Sequence, residues 1–228
     1  MIALHGIFTP MRSHITVIDP AVKNAEVSAF NHFVRLTTIP LTYHLPALAG
    51  MDSLQEEQNG IAGIVLLGSA SSVNEALPWQ ISLEKWLLPR LSAGVPTLGI
   101  CFGHQMIAHL YGAKIAFRTA AKEMRLGFYP IRLLPDRLWN QKTLEGLVYY
   151  SHKEVVTSCP AEMKVLAHSP QVAVEALTHS RLPIWTFQCH PEATAGFVQS
   201  RGTSPGEKNS FEFGHELIQY FFRYVARK

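Results

Sequence analysis

A chain of 228 residues with 47% hydrophobic and 16% charged side chains is too apolar to be disordered and suits one full-sized α/β domain or two small ones. Twenty basic against 17 acidic residues leave a net charge of only +3, and Lys and Arg are scattered from Arg12 to Lys228. Without a clustered basic patch, no nucleic-acid partner is expected.

Cys101, Cys159 and Cys189 cannot all pair, and no two have close metal-site spacing. That argues for a reducing compartment rather than a disulfide scaffold. Met1 to His14 lacks a charged segment followed by a long apolar stretch, so no signal peptide is expected. The longest apolar run, Ile61 to Leu67, is far short of the roughly 20 residues that cross a bilayer. The expectation is a soluble, cytoplasmic protein with no membrane partner.

Short apolar runs alternate with amphipathic stretches, the pattern of a parallel sheet with helices on its faces. His14–Asp19 reads as a first strand, followed by a helix around Lys23–Leu36 and a second strand at Leu41–Leu45. Ile61–Leu67 has the aliphatic and β-branched composition of a strand buried on both faces. It ends in the small residues Gly68-Ser69-Ala70-Ser71-Ser72. Leu83, Trp86, Leu87 and Leu91 recur at helical spacing within Ile81–Ser92. Thr97–Ile100 is another buried strand, and Gly103–Tyr111 a helix that stops at Gly112.

The second half changes character. Met124–Leu134, Leu147–Tyr150, Val155–Ser158, Lys164–Ala167, Val172–Ala176 and Ile184–Gln188 are strand candidates joined by short turns, which predicts an antiparallel or mixed layer. A polar loop, Arg201 to Asn209, precedes an amphipathic helix near Phe211–Ala226. With no internal repeat or linker, residues 1–228 read as a single domain.

The sharpest local feature is Gly99-Ile100-Cys101-Phe102-Gly103-His104-Gln105. A strand passes through Gly-x-Cys-x-Gly into a helix, the form of a nucleophile elbow with Cys in place of Ser. Side chains at Gly99 or Gly103 would collide with neighbouring elements on so sharp a turn. Cys101 then sits at a helix N-terminus, where unpaired N–H groups and the dipole favour thiolate. The Phe102 N–H points where an oxyanion would form. A lone Cys in an apolar stretch is more often a buried small hydrophobe, so the reading needs a base and a group to orient it.

Among 11 histidines, His104 and His109 read as packing or surface residues. His215-Glu216 fails as a zinc-protease helix because Gln219 stands where the second His belongs. Ser82-x-x-Lys85 lacks the sister motifs of penicillin-recognising enzymes. His190 differs. In Gln188-Cys189-His190-Pro191-Glu192 it follows a buried strand, Pro191 fixes the backbone, and Glu192 can orient the ring. Cys189 and Cys159 read as core packing.

The pair resembles the class I glutamine amidotransferases, whose triad joins a Cys in Gly-x-Cys-x-Gly-His-Gln to a His-Pro-Glu about 90 residues later. The likeness spans nearly the whole chain and is nearest in pattern to the amidotransferase part of GMP synthase. Gly68-Ser69-Ala70 sits where the family has Gly-Gly-Pro, Ser151-His152-Lys153-Glu154-Val155 where it has Ser-His-Gly-Asp-x-Val, and Leu126-Gly127-Phe128 looks like its Gly-Trp turn. The resemblance implies an α/β fold of the flavodoxin-like, doubly wound kind: a mostly parallel sheet with helices on both faces and a small antiparallel or mixed extension.

By the same resemblance Cys101 is the nucleophile, His190 the general acid and base, and Glu192 the residue that holds its ring. Phe102 and Ser69 supply oxyanion N–H groups beside Gly68, while Gln105 and the backbone near Ser151 and His152 grip the substrate's amino-acid head. Lys153-Glu154, in place of Gly-Asp, bears on substrate choice. Neither cofactor nor metal is implied. The expected activity is hydrolysis of glutamine to glutamate and ammonia, delivered to a separate ATP-dependent synthase. The alternatives are a γ-glutamyl peptidase or transferase using the same triad, and a non-catalytic regulatory relative. A Cys-containing α/β-hydrolase fits worse, since its acid and His lie farther apart, and no ligand cluster for a metalloenzyme can be assembled from these histidines.

Overall fold

The computed structural model describes residues 13–57, 59–206 and 208–228. Residues 1–12, on which most of the signal-peptide reading falls, lie outside the described residues, as does residue 207 of the polar loop. The chain begins with β1 (His14–Ile18), α1 (Val27–Leu36), β2 (Leu41–His44), the short helices α2 (Pro46–Ala49) and α3 (Asp52–Glu56), and β3 (Ile61–Leu66). There follow α4 (Pro78–Ser92), β4 (Thr97–Ile100), α5 (Phe102–Leu110), β5 (Ile115–Phe117), β6 (Arg125–Leu133) and β7 (Leu144–His152). The remainder is β8 (Glu154–Val156), β9 (Met163–Ser169), β10 (Val172–His179), β11 (Ile184–Phe187), α6 (Ala195–Ser200) and α7 (Glu212–Val225).

Five strands pair in parallel in the order β2-β1-β3-β4-β11. Every residue of β1, β4 and β11 is buried, which is why these segments carry continuous rather than alternating apolar runs. Odd and even positions feed two cores, since successive side chains point to opposite faces. Val17, Val65, Leu98 and Phe187 pack with Phe33 of α1 and with Leu217, Phe221 and Phe222 of α7. Ile18, Ile64, Leu66 and Ile184 pack with Leu83 and Leu87 of α4 and with Met106 and Ile107 of α5. Each such aromatic or aliphatic side chain contributes about 1.5–3 kcal/mol by leaving water.

The sheet differs from the expected one in its second half. β10, β8 and β5 continue it in antiparallel fashion beyond β11, and β9 also pairs with β10. The antiparallel part is thus nearly as large as the parallel one, not a small extension. A separate antiparallel pair, β6 and β7, extends the predicted Leu147–Tyr150 segment to Leu144–His152. Short turns between these segments permit antiparallel pairing but not a parallel crossover.

Other boundaries move for identifiable reasons. The first helix starts at Val27 rather than Lys23 because the Asp19 carboxylate accepts hydrogen bonds from the N–H of Ala21 (3.0 Å) and Glu26 (2.6 Å), holding the intervening residues as a loop. α4 starts three residues early, at Pro78, whose fixed φ suits a first helical position. The Gln80 side chain there accepts from the Leu77 N–H (2.8 Å). Cys159 is exposed, not core, because it lies in the turn between β8 and β9, where its thiol donates to the Met163 carbonyl (3.3 Å). Cys189 is fully buried as expected. No helix among the described residues is long and apolar enough to cross a membrane.

Candidate active site

The strand order reverses at β1, which has β2 on one side and β3 on the other. Ligands of open α/β sheets bind outside the carboxyl ends of strands at such a point. Here the loops after β1 and β3, the turn after β4 and the segment after β11 enclose a cleft of about 700 Å³.

Cys101 stands where β4 becomes α5, at φ +51° and ψ −101°. An L residue rarely adopts that conformation, and it persists only where the surroundings enforce it. They do. The Cys101 N–H donates to the Phe187 carbonyl of β11 (2.8 Å), and its own carbonyl accepts from the Gln105 N–H (3.0 Å). A Cβ on Gly99 would lie 2.7 Å from the Gly103 carbonyl oxygen, and one on Gly103 would drive into the Leu66 carbonyl oxygen of β3. Both flanking glycines are therefore obligatory for steric reasons, as the motif predicts.

His190 is fixed from three sides. Its N–H donates to the Tyr149 carbonyl (2.7 Å), its ring lies against Phe197, and its Nδ1–H donates to Glu192 Oε1 (2.8 Å). That assignment leaves Nε2, which has no other hydrogen-bond partner among the described residues, as the atom turned toward Cys101. Burial favours the neutral ring, but the neighbouring Glu192 carboxylate and Cys101 sulfur outweigh it and push His190 up to about 10. A Cβ on Gly68 would lie 2.9 Å from the imidazole Cε1 and 3.4 Å from the Cys101 Cβ, so Gly68 is the place where the two side chains converge. α7 braces this turn: Gly214 abuts Pro191, and His215 Nε2 donates to the Ala193 carbonyl (2.9 Å).

Ser69 does not have positive φ, so a Cβ at the position of a family glycine is unstrained. Its hydroxyl instead ties the loop down, donating to the Pro20 carbonyl (2.7 Å) and accepting from the Ser71 N–H (3.1 Å). The Ser69 and Phe102 N–H groups donate to no acceptor among the described residues. Ser151, His152, Lys153 and Glu154 line the cleft, Ser151 and His152 as the end of β7. Gln105 lines it too, yet its amide nitrogen is committed to the Glu154 carbonyl (2.8 Å) and Gln188 Oε1 (3.1 Å).

Three features escaped the motif reading. Gln188 Nε2 lies 3.8 Å from Cys101 Sγ. Gln188 directly follows β11 and stands two residues before His190, so its place beside the His-Pro-Glu motif was the available signal. The loop 19–26 brings Asp19 and Glu26 near Glu192. Burial raises the pKa of both, and repulsion from Glu192 adds to the rise. Arg201 and Phe197 complete the far wall, an arrangement that depends on where α6 lands.

His104 is wholly buried beneath the elbow, its ring bonded to Thr186 Oγ1 (2.7 Å), while His109 is exposed. His152 donates from Nδ1 to the Glu154 carbonyl (3.0 Å). Desolvation lowers both His104 and His152 from 6.5 to about 3. Between those values the unfolded chain binds more protons than the folded one, so stability falls as pH drops below 6.5. The melting temperature is expected to hold near pH 7 and decline between about pH 6 and 4. The raised Asp19 and Glu26 carboxyls oppose this trend, so the deciding measurement is an NMR titration, in which either ring protonating near pH 6.5 refutes the buried neutral state. Among the described residues no group of three or more His, Cys, Asp or Glu side chains is arranged to hold a metal ion.

The elbow, the His-Pro-Glu turn and the α/β sheet that joins them define the class of protein. The sequence profile of the family "Glutamine amidotransferase class-I" matches residues 25–201, and the chain belongs to that family. It is 33% identical over 138 residues to the glutamine-hydrolysing GMP synthase subunit of Methanocaldococcus jannaschii, covering 60% of this chain and 64% of that one. It is 33% identical over 132 residues to the corresponding subunit of Pyrococcus abyssi, covering 58% and 66%. The chain therefore spans slightly less than two thirds of the length of these relatives. The fold is similar to that of a glutamine amidotransferase from Thermotoga maritima, with TM-score 0.71 at 17% identity, covering 94% of this chain and 99% of that one. A glutamine amidotransferase from Methylobacillus flagellatus aligns with TM-score 0.67 at 18% identity, covering 95% and 94%.

Proposed function

We propose that this chain is a cytoplasmic glutaminase that releases ammonia from glutamine for a separate ATP-dependent synthase; its likeness to glutamine-hydrolysing GMP synthase subunits supports the glutaminase part of that reading. We read it as a single domain, with its parallel half of the flavodoxin-like, doubly wound kind. The observation that carries the proposal is the convergence of Cys101 and the Glu192-braced His190 on Gly68 within one cleft.

The chemistry follows from the geometry. Cys101 Sγ attacks the side-chain amide carbon of glutamine, and a C–S bond forms as the carbonyl π pair moves to oxygen. The Ser69 and Phe102 N–H groups stabilise that oxyanion. Collapse breaks the C–N bond, and His190 Nε2 delivers its proton to the departing ammonia. Water then attacks the thioester, His190 takes a proton from it, and the C–S bond breaks to give glutamate. Glu192 keeps Nδ1 protonated throughout, so Nε2 alone exchanges protons. No cofactor takes part. The Gln105 carbonyl oxygen, its nitrogen being committed, is left to accept from the substrate's ammonium group.

A second reading has one observation in its favour. The cleft runs on from Cys101 to Glu26 and Arg201, beyond what a glutamine side chain fills, and that room suits a γ-glutamyl peptide. Ammonia release from glutamine, measured beside amine release from a panel of γ-glutamyl peptides, separates the two. A glutamine-analogue electrophile provides the further control. Labelling at Cys101 is expected, and an unmodified protein that also hydrolyses neither substrate class would make the chain a non-catalytic relative and overturn the proposal.

A further inference from the structure

We propose that Gln188 is an additional catalytic group that donates a hydrogen bond to the Cys101 thiolate, held in that orientation by Gln105 as a positioning residue. The proposal rests on Cys101 being the nucleophile of the reading above. It concerns how the sulfur anion is stabilised before any substrate arrives.

The direction of the interaction is fixed by a chain of groups that have no choice of role. The Glu154 backbone carbonyl can only accept, so the Gln105 side-chain atom 2.8 Å from it must be the amide nitrogen. That same nitrogen lies 3.1 Å from the Gln188 side chain. Having only hydrogens to offer, it requires the Gln188 oxygen there. The Gln188 nitrogen is thereby turned the other way, toward Cys101 Sγ at 3.8 Å. Gln188 is completely buried, so water does not compete for its amide. A hydrogen bond to an ionised acceptor is worth considerably more than one to a neutral acceptor.

The sulfur therefore faces two opposed influences. The Ser151 carbonyl, 4.0 Å away, can accept only from the protonated thiol, whereas the Gln188 N–H favours the anion. The relay tips this balance from a distance, because its origin is the backbone of β8 rather than any charged side chain. No net charge is introduced beside the substrate. A cation placed there would compete with His190 for the thiolate, which an amide does not.

The test reads the pH midpoint of Cys101 alkylation by iodoacetamide, followed by mass spectrometry, on the full chain. Gln188→Met keeps the shape and removes the donor; Gln188→Asn keeps an amide but draws it back from the sulfur. Both are expected to raise the midpoint by about one pH unit. Gln105→Met, which frees the Gln188 amide to turn over, is expected to raise it by less, and to add nothing in a chain already carrying Gln188→Met. In the two Gln188 variants, glutamine hydrolysis is expected to lose kcat at neutral pH and to recover as pH rises, with KM little changed. Midpoints equal to that of the unsubstituted chain in whichever of the two Gln188 variants folds overturn the proposal, as does full additivity with Gln105→Met. If the unsubstituted chain alkylates at Cys101 no faster than at exposed Cys159, the underlying assignment of the nucleophile fails instead. The two failures are thus distinct.

Discussion

Replacing Cys101 by alanine is expected to lower glutamine-dependent ammonia release to the level of solvent background, a loss of at least about four orders of magnitude. The size follows from the division of labour. In the proposed reaction His190 and Glu192 supply proton transfer, and the Ser69 and Phe102 N–H groups supply electrostatic stabilisation, but each acts on bonds that the sulfur makes and breaks. Without it, His190 would have to activate water directly against an unactivated amide. Four decades correspond to about 5.5 kcal/mol of transition-state stabilisation. Alanine retains the Cβ at φ +51°, so the elbow keeps its strain and the fold its shape. Circular dichroism and melting temperature are expected to match the unsubstituted chain. Ammonia release within tenfold of that chain removes Cys101 from the reaction.

The second large effect is expected from Gly103→Ala, through folding rather than chemistry. The added methyl group would occupy the space of the Leu66 carbonyl oxygen, with the Leu66 Cγ also only 2.9 Å away. The obstacle is backbone in the middle of the packing of β3, β4 and α5, so no side-chain rotation relieves it. Displacing α5 would pull the Cys101 carbonyl from the Gln105 N–H and uncover Met106 and Ile107. A cost of about 3 kcal/mol or more is expected, which for a chain of this size lowers the melting temperature by roughly 6–12 °C. Gly196→Ala is the control. It lies in α6, its nearest neighbour would be 4.0 Å from the new Cβ, and its φ is not positive. That substitution is expected to be neutral or slightly stabilising. Equal melting temperatures for the two variants contradict the close-approach argument.

What could be read without coordinates was whatever depends on neighbours in sequence. The Gly-x-Cys-x-Gly elbow declares itself because its sterics are local, and His190, Pro191 and Glu192 lie within three consecutive residues. Continuous aliphatic runs mark β3 and β4 because both faces of those strands are covered. The features that escaped depend on distant partners. Asp19 restrains the loop before α1 through the Ala21 and Glu26 N–H groups; the first is a local Asx turn, but the second, seven residues on, is not written in the local pattern. β5 has only three residues and is a strand because β8 lies beside it. The β6–β7 pair was visible as strands, but not its separation from the main sheet. Gln188 stood in plain sight next to the His-Pro-Glu motif, yet its importance arises from Gln105, 83 residues away in sequence. Cys159 read as apolar filling and proved to face solvent, because a turn position outweighs residue preference.

β11 is inserted between β4 and β10, and its Phe187 carbonyl holds the Cys101 N–H; α7 then clamps the turn that carries His190. During synthesis the ribosome therefore releases the cysteine long before the imidazole that would arm it. An emerging chain carries a sulfhydryl at an unassembled turn, and only the arrival of β11 and α7 sets the proposed base beside it. On the proposed reading, reactivity requires β11 and α7, so a product terminated before β11 is expected to be chemically inert rather than an unregulated hydrolase.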